Sequence, residues 1–248
     1  MKKRLLPALA LAALPLFASA QQLTISAAAS LTDAFKEIGP RFEASKPGAK
    51  LRFNFGASGL LLLQIAQGAP VDVLVSADQE TMNRGVEQKL IAIQTRRDFA
   101  VNSLVLVTPA QGAPAVTALA DLRKAEIKRI AVGKVASVPA GRYTQQALGT
   151  AKLWSALSPK LVFADNVRQV LDYVARGEVD AGFVYRTDAE LAHDKVRIAM
   201  TVDGHAPITY PAAVVADSRQ AALARDFVAY LGGADAQAIL GRYGFGKP

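Results

Sequence analysis

Beyond residue 20, short apolar runs alternate with helical patterns along the whole chain, and this constrains the fold most. The runs cover residues 23–28, 50–55, 71–76, 103–108, 129–132, 160–163, 181–185, 196–200 and 212–215. Each has the length of a β-strand and is too short for an ordinary helix. The intervening stretches carry the other period. Val167, Val170, Leu171 and Val174 follow the i, i+3, i+4, i+7 spacing that lines one helix face. The wider apolar run at 60–66 predicts a helix buried on several sides. Strands alternating with helices predict an α/β, mainly parallel, doubly wound architecture.

Residues 1–20 stand apart from this pattern. Lys2, Lys3 and Arg4 precede an apolar stretch at 5–17, and Ala18-Ser19-Ala20 follows. A basic start, a short apolar core and a small-x-small site form a secretory signal peptide, with cleavage expected after Ala20. The stretch is too short to span a bilayer and contains Pro7 and Pro15. No Cys follows it that could carry a lipid. The remainder has no run of eighteen apolar residues, so a soluble exported product is expected.

The chain has no cysteine, which removes disulfides, thiolate metal sites and a Cys nucleophile from consideration. The formal charge of +8 falls to +5 without Lys2, Lys3 and Arg4. The surplus is scattered over Arg96-Arg97, Lys124, Lys128-Arg129, Arg142 and Arg168. Such a chain attracts anions in general. It lacks the dense basic and aromatic stripe of a nucleic-acid binder, so no nucleic-acid partner is expected. Breaks near Val101-Asn102 and Tyr210-Pro211 divide it into 21–100, 101–210 and 211–248. Two crossings would put 101–210 in one lobe and build the other from both ends, with a hinged cleft between them.

Four turns each join a strand to a helix: Ser30-Leu31-Thr32-Asp33, Ser58-Gly59, Val138-Pro139-Ala140-Gly141 and Asp165-Asn166-Val167. Ser30 with Asp33 resembles a capping box. The first N–H groups of a helix have no internal partner, and the helix dipole adds positive potential there. Such turns bind anions without any Lys or Arg. Ser30 and Ser58 add hydroxyl donors, while Ala140 and Val167 offer only backbone N–H groups. Neutral donors of this kind suit a fully ionised oxyanion, which only accepts hydrogen bonds.

Catalysis fits poorly. Gly56-Ala57-Ser58-Gly59 fails the Gly-x-Ser-x-Gly elbow, because Leu60 stands two residues after Ser58. The only histidines, His193 and His205, lie in late polar segments, where exposure is the expectation. They offer neither a base for Ser58 nor a metal-ligand spacing. The phosphate loop is absent, since Lys128 stands where its first Gly should precede Gly133-Lys134. Asp72, inside an apolar strand, is expected to be structural, tied to backbone N–H groups near the cleft.

Taken in order, several runs resemble the periplasmic molybdate-binding proteins over essentially the whole mature chain. They are Ala27-Ala28-Ala29-Ser30-Leu31-Thr32, Phe55-Gly56-Ala57-Ser58, Gly68-Ala69-Pro70-Val71-Asp72-Val73-Leu74-Val75-Ser76-Ala77-Asp78, Asn102-Ser103-Leu104-Val105 and Val138-Pro139-Ala140-Gly141. Leu157-Ser158-Pro159-Lys160-Leu161, Asp165-Asn166-Val167-Arg168, Val184-Tyr185 and Arg242-Tyr243-Gly244-Phe245 continue the match. The resemblance implies a two-lobed periplasmic binding protein of type II with two chain crossovers. It implies a molybdate or tungstate ion held by Ser30, Ser58, the amides of Ala140 and Val167, and the Tyr185 hydroxyl. It also implies a periplasmic monomer that serves the permease of an ABC transporter and needs no cofactor. Gly56-Ala57-Ser58-Gly59 departs from a more Ser-rich stretch in the family. A binding protein for sulfate, phosphate or another tetrahedral oxyanion predicts the same fold and compartment, with selection resting largely on cavity size.

Overall fold

The computed structural model describes residues 21–248, so the expected signal peptide and its cleavage after Ala20 lie outside the described residues. The chain forms two five-stranded sheets. In the first half, β1 (Gln21–Ala28), α1 (Thr32–Ser45), β2 (Ala49–Gly56), α2 (Ser58–Ala66), β3 (Val73–Val75), α3 (Gln79–Glu87) and β4 (Arg97–Asn102) follow one another. Next come β5 (Leu104–Pro109), β6 (Ile130–Gly133), α4 (Pro139–Thr150), α5 (Trp154–Leu157), β7 (Leu161–Ala164), α6 (Val167–Ala175), β8 (Ala181–Tyr185), α7 (Arg186–Leu191) and β9 (Val196–Thr201). The chain ends in β10 (Ile208–Val214), α8 (Ala221–Leu231) and α9 (Ala234–Arg242).

One sheet has the order β2-β1-β3-β10-β4 and the other β7-β6-β8-β5-β9. The two lobes therefore repeat one plan. A central strand, β1 or β6, pairs in parallel with the next two strands of its lobe, one on each side. An antiparallel strand from the crossing region then extends each sheet. The chain passes between the sheets at Ser103 and again over 202–207. Ser103 adjoins the break expected at Val101-Asn102, whereas Tyr210-Pro211, the second expected break, lies inside β10.

Every strand read from the apolar runs is present, but the sheets are mixed rather than mainly parallel. Each lobe keeps only a three-stranded parallel part, because β10 and β5 enter from the other lobe and run the opposite way. The sequence reading also lacked β4. Its first residues, Arg97 and Asp98, are exposed, and it forms the edge of its sheet beside β10, with one further bridge from Val101 to Gly246.

Packing follows the patterning in α1 and α6 but not in α2, where Leu60 and Leu63 of the run expected to be buried on several sides are exposed. Phe35 and Phe42 of α1 meet Phe227 of α8 edge to face, and Phe99 of β4 adjoins Phe35. Burying a side chain of this size contributes about 1.5–3 kcal/mol. In the other lobe, Val167, Val170, Leu171 and Val174 form the buried face of α6 against its sheet. Gly133 and Gly141 permit a close contact there: a Cβ on Gly141 would lie 2.0 Å from the Gly133 carbonyl oxygen. The start of α4 is thereby seated on the end of β6.

Candidate functional site

In an open α/β sheet, ligands bind outside the carboxyl ends of the strands, where chain connections diverge to either side. Both lobes present such a point, after β1 and after β6, and the two points face each other across the cleft. Ser30 follows β1, Ser58 follows β2, Ala140 follows β6, Val167 follows β7, and Tyr185 ends β8. All five are buried and line one cavity with Ala28, Ala29, Ala57, Ala77, Val138 and Asn166. Its volume is about 10 Å³, close to the ~10–15 Å³ needed by one water. Pockets for drug-sized molecules measure ~300–1,000 Å³. In this arrangement the cavity holds about one water and is far too small for a sugar or amino acid, so even a five-atom oxyanion needs the lobes to stand slightly further apart.

The donors differ in how they are held. Ser58 Oγ accepts the Ala77 N–H at 3.1 Å, which leaves its own proton free for the cavity. Ser30 Oγ lies 3.1 Å from the Tyr210 hydroxyl. Gly141 and Arg142 both donate backbone N–H groups to the Val138 carbonyl, while the Ala140 N–H has no acceptor among the described residues. At α6 the Asn166 side chain caps the helix by accepting the Gln169 N–H at 3.0 Å, and the Val167 N–H is likewise left over. The Tyr185 hydroxyl is buried without a hydrogen-bond partner among the described residues. Burial pushes its phenol well above the ordinary value of 10.0, so it remains a donor. A buried donor without an acceptor costs about 1–3 kcal/mol, which a bound acceptor would recover.

The lobes touch around this cavity. The Gly59 N–H donates to the Ser137 carbonyl at 2.9 Å across the cleft. Arg142 reaches from α4 to Asp78 and donates to Thr81 Oγ1 at 2.7 Å. Arg168, at the start of α6, lies 2.8 Å from Asp33 of α1 and 2.6 Å from Asp188 of its own lobe. Among the described residues, no charged side chain lines the cavity itself.

Some expectations change. Ser30 does not cap α1: it lies in a short 3-10 turn, Ala29–Leu31, and Leu31 occupies the cap position without a side-chain bond. Asp33 is turned to Arg168 instead, so no capping box forms there. Asp72 does bind a backbone N–H, that of Thr24 at 2.8 Å, and accepts the Ser218 hydroxyl at 2.7 Å. Thr24 lies early in β1, so this link is remote from the cleft. His193 is exposed, but His205 is half-buried against the Tyr143 ring. Neither lines the cavity. Sequence reasoning missed Tyr210, Asn102, Asp78 and the cleft-crossing roles of Arg142 and Arg168, whose partners lie far away in the chain.

The sequence profile described as "Bacterial extracellular solute-binding protein" matches residues 23–246. The molybdate-binding protein ModA of Escherichia coli is 38% identical over 232 residues, covering 90% of this chain and 88% of that protein. The chain belongs to the ModA molybdate-binding protein family. A solved substrate binding domain assigned to a molybdenum ABC transporter of Clostridium difficile is 39% identical, with a TM-score of 0.69. It covers 92% of this chain and 99% of that one. The sulfate-binding protein SubI of Mycobacterium tuberculosis superposes with a TM-score of 0.79 at 18% identity, covering 92% of this chain and 87% of that one. That second likeness is of fold alone. As in other ModA family members and their wider class, the architecture is the two-lobed type II binding-protein fold.

Proposed function

We propose that this protein captures molybdate, or tungstate of equal charge and similar size, between its lobes and delivers it to the membrane permease of an ABC transporter. The observation that carries this reading is the convergence of five uncharged groups able to donate, Ser30, Ser58, Ala140, Val167 and Tyr185, on one cavity whose described lining holds no charged side chain. Desolvating a dianion is costly, and hydrogen bonds from the protein must replace those of water. Two hydroxyls come from one lobe; two amides and a phenol come from the other. The ion would first meet one lobe, and hinge closure would then add the donors of the second.

In this reading 101–210 moves as one lobe against 21–100 with 211–248. The protein is a carrier rather than an enzyme, and the ion is cargo, with no cofactor. It acts as an exported, periplasmic monomer after cleavage at Ala20, and it has no nucleic-acid partner. A hydrogen phosphate ion would need an acceptor for its proton. The Ser58 oxygen already accepts the Ala77 N–H, so it is poorly placed to take that proton.

The test is calorimetric titration with molybdate, tungstate, sulfate and phosphate. Tight binding of the first two, and weak or absent binding of the others, is expected. Tight sulfate binding with no molybdate signal would overturn the ligand assignment.

A further inference from the structure

Building on the oxyanion reading, we propose that Tyr210 is a positioning residue, which with Asn102 fixes the Ser30 hydroxyl as a donor toward the cavity. Neither side chain lines the cavity. Asn102 ends β4 and Tyr210 lies in β10, so both sit where the chain passes between lobes.

The argument is an accounting of protons. Asn102 Oδ1 accepts the Ser103 N–H at 2.9 Å. This fixes the amide orientation, because a flip would set an NH₂ against that N–H. The Asn102 NH₂ therefore points the other way and donates to Thr187 Oγ1 at 3.0 Å and to the Tyr210 oxygen at 3.2 Å. The Tyr210 oxygen is thus an acceptor, and its single proton needs a partner of its own. Tyr210 is completely buried, and Ser30 Oγ at 3.1 Å is its other hydrogen-bonding neighbour. Since a buried hydroxyl proton is costly to leave unpaired, Tyr210 donates to Ser30. Ser30 then accepts, and its own proton is left for the cavity. Asn102, Tyr210 and Ser30 form a directed chain, in which each bond polarises the next.

Ser58 reaches the same condition by a different route, because the Ala77 N–H can only donate. Without Tyr210, Ser30 could rotate and turn its proton away from the ion. The Thr187 branch ties the same amide to α7 of the second lobe, so the chain spans the hinge.

The test is a double-mutant cycle with Tyr210→Phe and Ser30→Ala, read by calorimetry on whichever of the four anions the wild type binds. Tyr210→Phe alone should weaken binding roughly 3–10-fold, the equivalent of one neutral hydrogen bond. In the Ser30→Ala background it should change affinity less than about twofold, because its effect passes through Ser30. An equal loss in both backgrounds would mark Tyr210 as merely structural, and no loss in either would also overturn the proposal. Asn102→Ala, run through the same cycle, covers the case in which Tyr210→Phe does not fold. If the wild type binds none of the anions, the oxyanion reading falls and the relay with it. If binding is present and the losses are additive, only the relay falls.

Discussion

Arg142 Nε lies 2.9 Å from Asp78 Oδ2, and the two side chains come from opposite lobes. Arg142 stands two residues after Ala140, and Asp78 is next to Ala77, whose N–H donates to Ser58. This buried pair therefore fastens a donor-bearing turn of one lobe to that of the other. Removing one partner of a buried pair costs about 3–5 kcal/mol, but here the lobes can part and rehydrate the remaining charge. Arg142→Gln should speed ligand release at least tenfold and enlarge the ligand-free protein in small-angle scattering. Unchanged release and an unchanged radius of gyration would remove the pair from closure.

Gly59 makes a second contact across the cleft. A Cβ there would lie 2.8 Å from the Ser137 carbonyl oxygen and 2.9 Å from its Cα, so only glycine allows this approach. Alanine is the better helix former by about 1 kcal/mol in a helix interior, and by less at Gly59, which lies in the first turn of α2. Gly59→Ala should thus leave the first lobe as stable or more so, yet weaken ligand binding because the lobes cannot meet. Thermal melting and calorimetry on one sample would separate the two effects, and unaltered affinity would count against it.

Ser30→Ala and Ser58→Ala should each weaken binding of the oxyanion by about 1.5–3 kcal/mol, the range for hydrogen bonds to a charged group. Two variants with wild-type affinity would take both hydroxyls out of the site.

Tyr185→Phe should have effects of opposite sign. Its hydroxyl is buried without a partner among the described residues, so deleting it removes a penalty of about 1–3 kcal/mol from the closed arrangement when no ligand fills the cavity. The same deletion removes a donor to the ion. Expected are a higher melting temperature without ligand and a weaker affinity with it. A lower melting temperature would mean the hydroxyl has a partner in solution.

Affinity should be nearly flat from about pH 6 to 9. Backbone N–H groups and serine hydroxyls do not titrate there, and an unperturbed phenol titrates only near ~10. Burial raises the phenols of Tyr185 and Tyr210 further, so both stay protonated across that range. A raised phenol loses its donor only as pH climbs through the raised value. A fall in affinity between pH 7 and 9 that follows a titration curve, measured by fluorescence or calorimetry, would show an ionisable group acting on the ligand.

The strands and the helix starts were legible because their signals are local: a period of two, a period of 3.6, and small or Asn residues where a helix opens. The α6 face could be read from four residues. The cavity could be approached because the sequence places Ser30, Ser58, Ala140 and Val167 just after strands, and strand ends converge. What could not be read depends on contacts across the sequence. Tyr210 lies 180 residues from Ser30, and Arg142 lies 64 from Asp78. Tyr210 reads as an ordinary strand tyrosine until the hinge brings its hydroxyl to Ser30. β4 was hidden for another reason, since its charged, exposed start carries no apolar signal. The absent capping box at Ser30 shows a local motif overruled by Arg168 drawing Asp33 away.

The repeated strand order of the two lobes bears on how the proposed site meets an ion. The ends of β1 and β6 are equivalent in that order, as are those of β2 and β7. Ser30 thus corresponds to Ala140, and Ser58 to Val167, so in the proposed site each of these positions in one lobe has a counterpart in the other. An ion held between two such equivalent strand ends would be approached from both sides by helix-opening turns, an arrangement that belongs to the duplicated strand plan and precedes any adjustment of cavity size.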